Sequence, residues 1–74
     1  MDMVDYSVNV GTAGQDKVLD LTVDVVKYFH ETVVKVDQAG PIVTFRFEEA
    51  LSEEDLYQLK DIVVSDFEFV CENF

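Results

Sequence analysis

Hydrophobic periodicity switches between a two-residue and a roughly 3.6-residue repeat several times along this chain, and that succession restricts it to a mixed architecture of strands and helices. Residues 3–10 alternate: Val4, Tyr6, Val8 and Val10 point one way, and Met3, Asp5, Ser7 and Asn9 the other. That is a strand with one buried face. Gly11-Thr12-Ala13-Gly14 then breaks the pattern.

Residues 15–31 carry two competing patterns. Leu19, Leu21, Val23 and Val25 alternate with Asp20, Thr22 and Asp24 as in a strand, but the alternation fails at Val26. Plotted at about 100° per residue, Asp16, Lys17, Asp20, Asp24, Lys27 and Glu31 fall on one side. Val18, Leu21, Val25 and Phe29 centre the opposite side, flanked by Leu19, Val26 and Tyr28. The helical period accounts for the whole segment, so a helix is expected despite its β-branched content.

Two short strand patterns follow, over 32–37 and 41–48, with the turn signal Gln38-Ala39-Gly40-Pro41 between them, which reads as a hairpin. A second helix should start at Ser52, a good N-cap, with Asp55 three residues on in a weak capping-box arrangement. Glu53, Glu54 and Asp55 occupy the first turn, where the helix dipole favours anions. Leu56, Leu59 and Val63, with Ile62 beside them, form the buried stripe to about Ser65. Phe67, Phe69 and Cys71 then alternate with Glu68, Val70 and Glu72 as a last strand.

The expected fold class is α+β: a four-stranded antiparallel sheet with two helices on one face. The β-α-β-β-α-β order is similar to the ferredoxin-like arrangement. That scaffold hosts many unrelated activities and implies none by itself. Its length of 74 residues suits one domain spanning 1–74. An apolar fraction of 49% is enough for a real core.

Charge is the outlying property. Sixteen Asp and Glu face five Lys and Arg, a formal net charge of −11. Solubility usually needs a net charge of only about 2–8 on a small domain, and self-repulsion costs stability. The single cysteine, Cys71, rules out an internal disulfide and a cysteine metal cluster, and fits a reducing cytoplasm. No apolar run reaches the length of a membrane span. The start, Met1-Asp2-Met3-Val4-Asp5, lacks the basic residues of a secretory signal.

Catalysis is not expected. The only histidine, His30, sits at the edge of the first helix's polar face, and Cys71 reads as a small buried thiol among acidic neighbours. No spacing singles out a carboxylate pair, and there is neither a phosphate-binding glycine loop nor a calcium loop. No metal or cofactor is expected. Direct nucleic-acid binding needs cationic neutralisation of phosphates, which five scattered basic residues cannot provide. The open sheet face should carry Asp5, Ser7, Asn9, Lys35, Thr44, Arg46, Glu68 and Glu72, a poor platform for stacking bases.

The acids themselves are the candidate site. Asp16, Asp20, Asp24 and Glu31 should line the outer face of the first helix, and Glu48, Glu49, Glu53, Glu54 and Asp55 crowd the start of the second. Residues four apart on a helix stand about 6 Å apart, so side-by-side helices would carry one or two negative tracts. Such a tract is either a solvated face, laced by Lys17, Lys27 and Lys60, or a landing surface for a basic protein that handles nucleic acid. In length, charge and lack of catalytic residues the chain is similar to the general type of small phage-encoded inhibitor of host defence, such as anti-CRISPR proteins, restriction inhibitors and glycosylase inhibitors; no motif matches a particular family. The rival readings are an immunity or antitoxin protein against a cationic toxin, and a regulatory domain that binds a ligand near Gly11–Gly14 or dimerises through sheet edges.

Overall fold

The structure is a computed structural model that describes residues 3–74; Met1 and Asp2, part of the acidic start noted above, lie outside the described residues. The elements follow in the order β1 (Val4–Asn9), α1 (Gln15–Tyr28), β2 (Val33–Ala39), β3 (Ile42–Phe47), α2 (Glu53–Asp61), a π-helical turn (Ile62–Asp66) and β4 (Val70–Cys71). The ambiguous segment is therefore a helix. Four strands form one antiparallel sheet in the lateral order β2-β3-β1-β4.

Strand pleating sorts the side chains as the alternation requires. Tyr6, Val8, Val43, Phe45 and Phe47 lie on the buried face, and Val18, Leu21 and Val25 of α1 and Leu59, Ile62 and Val63 of the second helical run close over them in a single core. Both helices thus serve one face. Phe45, Phe47 and Leu21 are wholly buried, each worth about 1.5–3 kcal/mol of transfer free energy. Edge-to-face aromatic contacts run through the core from Phe29 to Phe47 to Tyr6 to Phe74, with centroids 5.4, 5.5 and 5.3 Å apart. The Tyr6 hydroxyl accepts a 2.9 Å hydrogen bond from the Leu51 N–H.

Several boundaries differ from the sequence reading. The α1 helix stops at Tyr28, because the Phe29 carbonyl accepts the N–H groups of Thr32 and Val33 in a tight turn. His30 and Glu31 therefore sit in that turn and not on the helix. The hairpin loop is tighter than expected: Gln38 and Ala39 belong to β2, and Ala39 faces Ile42 across two residues. Gly40, at φ +59, takes the first central position, as a type II′ turn needs. Leu19 and Tyr28, expected to flank the buried stripe, are exposed.

The second helix keeps its N-cap: Ser52 Oγ accepts the Asp55 N–H at 3.2 Å. Its last turn widens into a π-helix across Ile62-Val63-Val64, a β-branched run that crowds an α-helical turn. Glu68, at φ 60, then ends it, with the N–H groups of Glu68 and Phe69 bonding the Val64 and Val63 carbonyls. A left-handed residue cannot continue into a strand. The expected strand over 67–72 thus shrinks to Val70–Cys71, and Glu68 leaves the sheet face assigned to it.

Replacing Tyr6 with Phe removes the hydroxyl that satisfies the Leu51 N–H. Urea or thermal denaturation should show a loss of about 1 kcal/mol. Glu68→Gly removes the left-handed penalty and should instead stabilise by about 0.5–1 kcal/mol; a melting temperature that falls would contradict the helix stop described above.

Candidate functional site

The sheet register decides where the acids meet. Phe47, the last residue of β3, pairs with Val4 and with Val33, so β1 and β2 begin at the edge where β3 ends. The α1 helix returns to that edge before β2, and α2 departs from it after β3. The connecting loop is pinned at two points: the Glu48 N–H bonds the Thr32 carbonyl at 3.0 Å, and the Leu51 N–H bonds Tyr6. Glu48 and Glu49 ride on this loop, and Glu53, Glu54 and Asp55 form the first turn of α2.

Three adjoining clefts mark the edge. One is lined by Tyr28, His30, Glu31, Thr32 and Asp55. The next is lined by Thr32, Glu49, Leu51, Ser52 and Asp55. The third is lined by Tyr28, Glu53, Glu54, Asp55, Tyr57 and Gln58. Asp55 borders all three, so Glu31, Glu49, Glu53 and Glu54 gather around it. Glu48 stands exposed in the same loop.

Asp16, Asp20 and Asp24 do not join this group. They are exposed on α1 in a row spaced by four residues that climbs away from the edge. At a rise of about 1.5 Å per residue, Asp16 is about 18 Å along the axis from Tyr28. The nine predicted residues thus divide into a cluster of six at one edge and a row of three along a helix. All nine are exposed.

Lysine and arginine do not neutralise them. Among the described residues the ion pairs are Lys35–Asp37 at 3.3 Å and Arg46–Asp5 at 2.9 Å, and His30 Nε2 stands 3.9 Å from Glu31, an ion pair only when the imidazole is protonated. Lys17, Lys27 and Lys60 make no such pair with the acids that they interrupt in sequence. Two of the five cationic side chains, Lys35 and Arg46, are engaged on the open sheet face instead.

Two residues that the sequence reading did not single out belong to the cluster. Tyr28 and Tyr57 are 55% and 73% exposed and border the same cleft. Tyr57 was legible: it lies two residues from buried Leu59, about 200° around the helix, and must face out. Tyr28 falls near the buried side on the same plot, yet as the last residue of α1 it is exposed. Carboxylates beside exposed phenol rings can hold guanidinium or ammonium groups by charge-assisted hydrogen bonds and by cation–π contact.

The groups with catalytic potential are arranged otherwise. His30 is exposed beside Glu31, with no nucleophile among its described ion-pair or hydrogen-bond partners. Burial pushes the Cys71 thiol up, slightly opposed by Lys60, which favours the unreactive protonated form. Among the described residues no three His, Cys, Asp or Glu side chains converge to hold a metal ion. Gly11, at φ +60, gives its N–H to Asn9 Oδ1 at 2.8 Å, an Asx turn that redirects the chain into α1. Among the described residues no helix is long and apolar enough to cross a membrane.

The open sheet face is polar and internally satisfied. Arg46 Nε and Nη2 donate to the two Asp5 carboxylate oxygens at 2.9 and 3.2 Å, Ser7 meets Thr44 at 3.1 Å, and Asn9 donates to Glu72 at 2.9 Å. Asn73 donates to the Asp5 carbonyl and accepts from the Ser7 N–H. Compared with protein-family models, with curated proteins and with solved structures, the chain matches none.

The Arg46 hydrogen bonds hold the Asp5 carboxyl below its ordinary range, partly opposed by desolvation and reinforced by the Arg46 and Lys35 charges. A depressed carboxylate stabilises the fold fully above its unfolded value of about 3.9 and loses that contribution as pH falls through its lower folded value. Asp5→Asn should therefore lower the melting temperature at neutral pH. The gap from the unmodified chain should narrow progressively in melts recorded at pH values falling below the unfolded carboxylate's value of about 3.9.

Proposed function

We propose that this chain is a non-catalytic binding protein that docks its acidic edge onto a basic nucleic-acid-handling protein, such as a CRISPR effector, nuclease or restriction enzyme. Occupying the cleft that would hold nucleic acid, it blocks access partly by imitating phosphates. The observation that carries this reading is the convergence of Glu31, Glu49, Glu53, Glu54 and Asp55 around clefts shared with the exposed Tyr28 and Tyr57. Carboxylates that no lysine or arginine pairs with keep most of their field in solution, which steers a positively charged partner toward them. The tyrosines add rigid contact area of the kind enriched at protein interfaces.

The scaffold that goes with this reading is ferredoxin-like. In support, β3 lies between β1 and β2, and β1 lies between β3 and β4, so two β-α-β units interleave. That interleaving leaves the α1 end and the α2 start at one edge, where the acids meet.

Affinity capture from a host lysate at low and high salt, followed by nucleic-acid binding assays on the captured protein, tests the proposal. The unmodified chain should retain a cationic protein at low salt and displace nucleic acid from it. The quadruple change Asp20→Lys, Asp24→Lys, Glu53→Lys and Glu54→Lys should slow association at least about tenfold while the folded circular dichroism persists. Undiminished binding by that variant would refute the acidic-surface reading. A captured toxin with no nucleic-acid function would shift the reading to an immunity protein.

A further inference from the structure

The sheet ends on one side at β2, whose outer edge has no partner strand among the described residues. That edge is seven residues long, whereas β4 at the opposite edge has two. A long free edge presents unpaired N–H and C=O groups that template another strand. Backbone groups alternate in an antiparallel ladder. With Ala39 facing Ile42 across the two-residue turn, Val36 and Gln38 direct theirs away from β3.

We propose that β2 pairs antiparallel with β2 of a second copy of this chain, about a twofold axis at Val36, joining two four-stranded sheets into one. Two observations converge on that register. It makes Val36 a hydrogen-bonded pair with itself, using the groups that already point outward. It sets Lys35 opposite Asp37 of the second copy, twice, on the open face of the sheet. Both side chains are available, being 57% and 64% exposed and only 3.3 Å from each other within one chain. Moving the axis by one residue sets Lys35 against Lys35 or Asp37 against Asp37, and turns the outward backbone groups away.

The helical side of the same edge is suited to self-association. The flank of α1 that meets β2 carries the uncharged Gln15, Leu19 and Thr22, and Gln15 hydrogen-bonds Gln38 at 3.0 Å. Leu19 is 61% exposed and lines a groove with Val36. In a chain of net charge −11, two copies can meet only where carboxylates are balanced, and the β2 edge, with one Lys and one Asp, is such a place. The bulge at Val34 confines the straight ladder to the residues after it, so the association is reversible. This inference is independent of the acidic docking surface, which uses other residues.

Sedimentation velocity of the full chain from about 1 μM to about 1 mM should show a monomer–dimer equilibrium. Val36→Pro deletes an N–H that makes no bond within the chain, as edge strands tolerate, and should leave a monomer of unchanged circular dichroism. Lys35→Asp alone and Asp37→Lys alone should each weaken association roughly tenfold, and the two together should restore it. A monomer throughout the series, a dimer indifferent to Val36→Pro, or an exchange pair that fails to rescue would each overturn the proposal. The charge exchange touches only exposed side chains and decides alone if the proline variant loses its folded spectrum.

Discussion

Tyr6 is the hinge on which the arrangement turns. Its ring stands edge-on to Phe47 and to Phe74, and Phe47 in turn meets Phe29 at the end of α1. Its hydroxyl, at the rim of that buried chain, holds the backbone of the loop that leads into α2. One side chain therefore ties the first strand, the third strand, the C-terminal residue and the entry of the second helix. Aromatic rings contribute large buried area with directional contacts. A domain of this size has few such contacts to lose, because it buries a modest share of its surface.

Placement of the acids follows from that knot. The loop carrying Glu48 and Glu49 is fixed at Thr32 and Tyr6, and the α2 start is fixed by Ser52. The carboxylates of this edge are thus presented from a rigid frame at little entropic cost, which favours binding over disorder. Their mutual repulsion is tolerated because every one of them faces solvent, where ions screen it over about 10 Å. The described pairing of Lys35 and Arg46 lies elsewhere, on the open sheet face.

Charge is therefore unevenly distributed over the molecule. The edge between the α1 end and the α2 start is acidic, the outer face of α1 carries a second acidic row, and the open sheet face and the β2 flank are balanced or uncharged. An acidic region suits a partner of opposite sign, and a balanced strand edge suits a copy of itself. Both readings draw on the same sorting of charge, but they use different residues and different forces: steering and ion pairing in one, backbone hydrogen bonds in the other.

The alternations of Val4–Val10 and Val43–Phe47, the 3.6-residue stripe of Val18, Leu21 and Val25, and the Ser52 cap were readable because burial on one face imposes a period on the chain. They determined the elements, their succession and most of the core. The sequence by itself also determined that the chain is strongly acidic, with a net charge of −11. Tertiary structure alone decided the rest. It stopped α1 at Tyr28 and placed Glu31 in the turn at that edge, because the Phe29 carbonyl closes a turn that no local pattern specifies. It shortened β4, because left-handed Glu68 ends the π-helical turn and keeps the chain out of the strand until Val70. It also divided nine acids into an edge cluster and a separate row, because which helix ends share an edge depends on strand register between residues more than thirty apart, and periodicity along the chain carries no record of that pairing.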